Sequence, residues 1–165
     1  MNSPLRKPKP EDIPALAKLF TDPDLRHYLG GVRDAAHAKA CALELVATAR
    51  PLLAWTVVQP DSSCTVGFVS LGNHHDGGDI EISFVISLSA ERSGLGRLAV
   101  SEALAHAWSL GIGRVVAETQ SANMRAIRLL HALGFSRQRQ LIRFNTLQSL
   151  FSVERPDINV AEHER

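Results

Sequence analysis

The segment Asp79–Trp108 constrains the fold more than any other part of this chain, because it reads as a strand, a turn and a helix in succession. Apolar and mostly polar residues alternate over Asp79–Ser87, which is the period-2 pattern of a strand. Gly94 and Gly96 follow, and an apolar stripe with helical spacing then runs through Val100, Leu104, Ala107 and Trp108. A glycine turn that opens a helix presents unpaired backbone N–H groups at the positive end of the helix dipole. The segment therefore predicts a phosphate or pyrophosphate site.

The bulk properties predict one ordinary globular domain. With 165 residues, of which 45% are hydrophobic and 21% charged, the chain can bury a full core without disulfide staples. No apolar run approaches the length of a membrane span, and the basic N-terminus lacks the apolar segment of a secretory signal. The two cysteines, Cys41 and Cys64, fit no metal-like spacing and suggest a reducing, cytoplasmic setting. We expect a domain over residues 1–156, a polar tail over 157–165, no membrane partner, and either a monomer or a homodimer.

Charge is distributed unevenly, although the net charge is only +1. The stretch from Pro51 to Glu91 has no lysine or arginine, whereas eight arginines fall between Arg92 and Arg143. The second half therefore favours an anionic ligand, although arginines that simply coat exposed helix faces would look the same. Aromatic residues do not interleave with the basic ones, so we expect no nucleic-acid partner.

The remaining patterns predict a mixed sheet. Three strands come in a row, and the third leads through the turn into a helix, a strand and a second helix. This order favours a mixed α/β sheet with helices on both faces. The GxGxxG motif of doubly wound dinucleotide-binding folds is absent. The other predicted elements are an edge segment at Ser3–Lys9, helices from Ile13 to Phe20, from Asp22 to Leu29 and from Asp34 to about Arg50, strands at Leu52–Gln59, Thr65–Leu71 and Arg114–Thr119, a helix from Asn123 closed by Gly134, and two strands within residues 137–154.

Several motifs together resemble the GCN5-related N-acetyltransferase (GNAT) superfamily, and specifically its ribosomal-protein alanine/serine N-acetyltransferase branch. ERSGLG at Glu91–Gly96 is similar to the acetyl-CoA signature Q/R-x-x-G-x-G/A, and DIEISFVI is similar to the strand that precedes it. The block Asn123–Phe135 resembles the N-x-x-(S/A)-I-x-x-L-x-x-L-G-F pattern of the last core helix. The resemblance covers nearly the whole chain. It implies a single-domain, mostly antiparallel mixed sheet and an enzyme that uses acetyl-CoA as co-substrate, without a metal.

The resemblance also implies roles for individual residues. Glu81 would be the general base that deprotonates the amine acceptor, whereas the strand pattern alone favours a solvated carboxylate. Tyr28 would line the acceptor pocket. The residues implied at the cofactor are Phe84, Val85 and Ile86 along the pantetheine arm, Arg92, Ser93, Gly94, Leu95, Gly96 and Arg97 at the pyrophosphate, and Asn123.

Three features depart from the family pattern or fall outside it. Glu91 places a carboxylate in the signature. A carboxylate beside a pyrophosphate is unfavourable unless its side chain points away. Ala126 and Leu130 stand where relatives have a Ser or Tyr acid, so no proton donor is assigned. His74 and His75 lack partners at ligand spacing, and we expect a solvated turn there rather than a metal site.

The expected function is direct transfer of an acetyl group to a primary amine, either a protein N-terminal α-amine or a small amine. Two alternatives remain at this point: a CoA-binding regulatory or structural protein without catalysis, and a generic phosphate- or nucleotide-binding domain that uses the same turn.

Overall fold

The fold is known from a computed structural model, which describes residues 2–47 and 53–157. The predicted helix end near Arg50, the predicted strand start at Leu52 and most of the predicted tail lie outside the described residues. The strands are β1 (Leu5–Arg6), β2 (Ala54–Val58), β3 (Thr65–Asn73), β4 (Ile80–Ile86), β5 (Arg114–Gln120), β6 (Ser136–Arg143) and β7 (Thr146–Glu154); the helices are α1 (Ile13–Leu19), α2 (Pro23–Arg26), α3 (Ala35–Val46), α4 (Leu95–Ser109) and α5 (Met124–Ala132).

One sheet of seven strands organises the molecule, in the order β1-β2-β3-β4-β5-β7-β6. Every neighbouring pair is antiparallel except β4 and β5, which are parallel. Two apolar clusters pack on opposite faces of the sheet. The first joins β4 and β5 to α4 and α5, and the second joins Phe68 and Val85 to α1 and α3. The predicted mixed, mostly antiparallel sheet with helices on both faces is confirmed.

Local sequence signals fix several helix ends. Asp34 accepts a hydrogen bond from the backbone N–H of His37 and caps α3, as predicted. Asn123 caps α5 in the same way, and Gly134 ends that helix with a left-handed backbone. The predicted helix over Asp22–Leu29 is wrong in length, because α2 stops at Arg26. The guanidinium of Arg26 donates to the carbonyls of Leu29 and Gly31 and holds the chain in a turn there.

Helix α4 follows its predicted apolar stripe. Val100, Leu104 and Ala107 are buried against the sheet, and Trp108 packs at the edge of the same cluster. Gly96 lies at the start of this helix, where an added Cβ would come within 3.4 Å of both Ile86 and Leu129. The small residue therefore lets α4 approach β4 and α5 closely.

Among the described residues, no helix has the length and apolarity needed to span a membrane.

Candidate active site

The parallel strands β4 and β5 separate soon after they begin. Ile80 pairs with Val115 and Glu81 with Val116, and no later residue of β4 pairs with β5. On its other side β4 remains paired with β3 along its whole length. The separation leaves the second half of β4 with an open edge, and a cavity of about 660 Å³ lies in the gap.

Most of the sequence-predicted residues line this cavity, but three do not. Its lining includes Tyr28 from the segment after α2, and the predicted cofactor residues Phe84, Val85, Ile86, Arg92, Gly94, Gly96, Arg97 and Asn123. Ser93, Leu95 and Glu81 are not part of the lining. Leu95 is instead buried in the core, and Ser93 shapes the turn. The structure thus brings the predicted cofactor segments together and leaves the predicted base outside the cavity lining.

The glycine turn has the geometry expected of an anion site. Gly94 adopts a left-handed backbone with φ of 76°, and an added Cβ there would meet nothing within 4 Å. The hydroxyl of Ser93 donates to the carbonyl of Ala90 at 2.7 Å and accepts from the N–H of Leu95 at 3.3 Å. Helix α4 starts at Leu95, so its first-turn amides, which lack partners within the helix, face the cavity end. Open space beside a helix N-terminus suits a phosphate group.

The carboxylate of Glu91 in the signature is accommodated by a local contact. It forms an ion pair with Arg125 of α5, which offsets its negative charge. Arg92, the next residue, has a left-handed backbone with φ of 58°, a conformation that costs a non-glycine residue energy.

Asn123 has a structural role in addition to lining the cavity. Its side-chain oxygen accepts from the N–H of Ala126 at 3.3 Å, and its amide nitrogen donates to the Thr119 hydroxyl at 3.2 Å. These contacts tie the start of α5 to the end of β5.

Glu81 lies on β4 beside the point where the strands separate. Its side chain is 18% exposed, and its Oε2 atom is buried without a hydrogen-bond partner. Oε1 accepts only a long hydrogen bond of 3.4 Å from the Ser83 hydroxyl. Burial raises the pKa of Glu81, and the nearby charge of Glu118 raises it further. A carboxylate in this setting holds a proton more readily than an exposed one.

The expectation of a solvated turn is wrong for His74. Its side chain is only 3% exposed, and its Nε2 lies 2.6 Å from Oε2 of Glu118 and 3.6 Å from Oε2 of Glu81. His75 is exposed, as expected. The two residues differ because the ring of His74 contacts Glu118 on β5, whereas the ring of His75 contacts the exposed Phe144. Ligand-type atoms of His74, Glu81 and Glu118 lie within 4.8 Å of one another, a spacing that the hydrogen bond to Glu118 explains.

Glu118 is a site residue that the sequence reasoning missed. It lies on β5, lines the cavity, and has a side chain that is 7% exposed. Its Oε1 accepts from Nε of Arg143 at 2.7 Å, while Oε2 faces His74. One signal was available: Glu118 is one of only two acidic residues in the arginine-rich stretch.

The site combines an open strand edge, a turn at a helix start that suits phosphate, and adjacent buried carboxylates. These features fit the acyltransferase class that the sequence motifs predicted. The family model described as an acetyltransferase (GNAT) domain matches residues 4–136. The chain therefore belongs to the GNAT family of acetyltransferases. Enzymes of this family are N-acetyltransferases that use acetyl-CoA as co-substrate, and the predictions of family, enzyme class and cofactor are confirmed.

Solved structures of GNAT proteins share the fold at low sequence identity. One is yncA from Salmonella typhimurium, solved with its cofactor acetyl-CoA (20% identity, 96% of this chain and 99% of that chain, TM-score 0.74). Another is spermidine N-acetyltransferase from Vibrio cholerae with CoA and spermine (14% identity, 93% and 96%, TM-score 0.77). A third is ribosomal-protein-S5-alanine acetyltransferase from Vibrio fischeri (18% identity, 91% and 91%, TM-score 0.72). No curated protein sequence matches the chain.

Proposed function

We propose that this protein transfers the acetyl group of acetyl-CoA directly to a primary amine, with both substrates held together in the gap between β4 and β5. The observation that carries the proposal is the separation of these strands. It creates one continuous cavity with a glycine turn at the start of α4 and a buried carboxylate, Glu118, in the same lining.

The cofactor would occupy the cavity along the open edge of β4. The amides of residues 92–97 and the side chains of Arg92 and Arg97 would bind the pyrophosphate, since both arginines are exposed beside the turn. The pantetheine arm would lie along Phe84, Val85 and Ile86, whose backbone groups are not paired with β5. A backbone N–H of this strand would stabilise the oxyanion that forms during transfer.

Direct transfer is favoured over a covalent enzyme intermediate. Among the described residues that line the cavity there is no cysteine, since Cys41 lies in α3 and Cys64 is exposed ahead of β3. Holding the thioester and the amine side by side would supply most of the rate enhancement.

The acceptor would arrive as an ammonium ion and lose a proton before attack. Glu81 is our candidate for the base, reached through a water molecule because its side chain is not part of the cavity lining. Glu81 and Glu118 also make this end of the cavity favourable for a cation. Both a protein N-terminal α-amine and a small amine satisfy that requirement. The spermidine and ribosomal-protein S5 enzymes with the same fold illustrate these two acceptor types.

A thiol-release assay over an amine panel tests the proposal. The panel contains an Ala- and a Ser-initiated peptide, spermidine, an aminoglycoside and free amino acids, each with acetyl-CoA. Release of CoA with at least one amine, together with a mass increase of one acetyl group on that amine, is the expected result. Tight acetyl-CoA binding without release on any acceptor would instead indicate a regulatory protein.

Replacement of Glu81 tests its role in the reaction. Glu81→Gln keeps the shape of the side chain and removes its basicity, so kcat should fall by about 10²–10⁴ while the Kd for acetyl-CoA stays unchanged. The rise of wild-type kcat/KM with pH should be lost in the variant. Full activity with an unchanged pH profile would show that Glu81 is a structural carboxylate.

A further inference from the structure

His74 stands between the two carboxylates beside the cavity, although it comes from the turn after β3. We propose that His74 is a positioning residue: its Nε2–H holds one oxygen of Glu118 in a hydrogen bond, and Glu81 is thereby left as the carboxylate that receives the proton of the amine. This inference rests on the proposed acetyl transfer and assigns different roles to the two glutamates.

The hydrogen bonds of the imidazole define its tautomer. The backbone N–H of Asp76 points at Nδ1 of His74 at 3.3 Å, so Nδ1 acts as an acceptor. The ring proton then resides on Nε2, which lies 2.6 Å from Glu118. A neutral ring in this tautomer donates to Glu118 and has no free nitrogen with which to take a proton from Glu81. His74 therefore acts by orienting a neighbour rather than by relaying a proton.

Glu118 is held from both sides by a closed set of contacts. Arg143 donates to Glu118 through Nε at 2.7 Å, and through Nη2 to the carboxylate of Asp76 at 3.1 Å. Asp76 belongs to the same turn as His74 and also accepts from Arg139 at 2.8 Å. The turn thus contacts Glu118 directly through His74, and through Asp76 it binds Arg143, the arginine partner of Glu118. A charged donor therefore occupies one oxygen of Glu118, and the imidazole N–H occupies the other.

Glu81 has the opposite surroundings. Its Oε2 atom is buried without a hydrogen bond, and its Oε1 atom has only the Ser83 hydroxyl at 3.4 Å. The ionisable groups that face it are Glu118 from β5 and His74 and His75 from the turn. Burial and the charge of Glu118 raise the pKa of Glu81, and a proton gained by either histidine would oppose that rise. Glu118 therefore has donors on both oxygens, whereas Glu81 has a buried oxygen with no donor and a raised pKa.

The proposed proton path is balanced without further reactants. The ammonium acceptor gives one proton to Glu81 through water, which produces a neutral amine and a carboxylic acid. The amine nitrogen then forms a bond to the acetyl carbon, the carbon–sulfur bond breaks, and the CoA thiolate leaves. The second proton of the attacking nitrogen goes to that thiolate, and Glu81 returns its proton to solvent.

Replacement of the histidine tests the inference through the pH dependence of kcat/KM. His74→Phe removes the N–H donor of Glu118 and leaves no polar side chain between Glu118 and Glu81. The pH at which kcat/KM rises should then increase by about one unit. His74→Gln restores an N–H donor to Glu118 and should return the limb to its wild-type position. His37→Phe is the matched control, because His37 is exposed on α3 and does not line the cavity.

A direct titration separates failure of this inference from failure of the proposed function. The side-chain carboxyl carbons of glutamate are followed by ¹³C NMR in the ligand-free protein, with Glu81→Gln and Glu118→Gln used for assignment. Glu81 should titrate above the usual range of a glutamate, a result that requires neither an acceptor nor a folded His74 variant. An ordinary pKa for Glu81, or an unmoved kcat/KM limb in folded His74→Phe, would overturn the inference. If wild type titrates as expected but acetylates no amine, the proposed function fails and the carboxylate assignment stands.

Discussion

Asp12 should be one of the most stabilising side chains in the protein, and Asp12→Asn tests this. The residue precedes α1, and its side chain is only 5% exposed. Five donors surround it: both terminal nitrogens of Arg6 at 2.7 Å, the N–H of Lys9 at 2.8 Å, and the hydroxyls of Thr65 at 3.0 Å and Thr56 at 3.1 Å. These contacts join β1 and α1 to β2 and β3. Asparagine keeps the shape but turns an NH₂ group toward one set of donors and leaves Arg6 without a counter-charge.

The expected cost follows from the type of contact. Breaking a buried, hydrogen-bonded ion pair costs about 3–5 kcal/mol. We take the lower end, about 3 kcal/mol, because the side chain of Arg6 is partly exposed and regains water when its partner is lost. For a domain of this size, that corresponds to a drop in Tm of about 6–12 °C.

The pH dependence gives the prediction a second, independent readout. Arg6, followed by Lys9 and the two threonine hydroxyls, holds the pKa of Asp12 well below its usual range, against the opposing effect of burial. A folded-state pKa below the unfolded one stabilises the fold above about pH 4, and that stability is lost as the pH falls further. The stability gap between wild type and Asp12→Asn should therefore be complete at pH 7 and shrink below about pH 4.

Urea unfolding followed by circular dichroism at pH 7, 5 and 3 measures this gap. Asp61→Asn serves as the control, since Asp61 is exposed in the turn before β3 and should change stability by less than about 0.5 kcal/mol. A gap below about 1 kcal/mol at pH 7, or one that stays constant down to pH 3, would refute the reasoning.

Four further substitutions test the cofactor segment and the sheet. Gly94→Val places a side chain in the open space beside the helix start and strains a left-handed backbone. Calorimetry should show acetyl-CoA affinity reduced by at least about tenfold in a folded protein. An unchanged Kd would mean that the phosphate site lies elsewhere. Arg92→Ala and Arg97→Ala should each raise the Kd for acetyl-CoA and flatten its salt dependence, because both side chains are exposed beside the turn; parallel salt slopes in all three proteins would exclude these side chains from phosphate binding. Gly67→Ala should lower the urea midpoint sharply, since the added Cβ would clash with the backbone oxygen of Val85. Wild-type stability would contradict the tight packing of β3 against β4.

Much of the fold was predictable because its signals are local. Each of these signals acts within a few residues, and the structure has each element where it was predicted. They are the alternation over Asp79–Ser87, the caps at Asp34 and Asn123, and the left-handed Gly134. The helix after Asp22 was predicted too long, because the contact that ends it comes from the side chain of Arg26 rather than from a residue with a turn preference.

The candidate site was only half predictable for the same reason. The cofactor segments are contiguous motifs, and the structure gathers most of them around one cavity. Glu118 and His74 are separated by 44 residues, and nothing in either local pattern distinguishes them from solvated polar residues. Only the pairing of β4 with β5, which places Glu81 beside Val116, brings the two glutamates onto one face of the sheet.

The sequence by itself therefore determined the order of strands and helices, the glycine turn that opens α4, and the family to which those motifs belong. These depend on backbone preferences and apolar periodicity over short stretches of chain. The tertiary structure alone decided which polar residues are buried and with what partners. His74 was expected to face water, and the local pattern around Asp12 carries no signal of burial. Each is instead enclosed by donors and acceptors that distant strands supply, because burying a polar group is favourable only where the fold brings its partners with it.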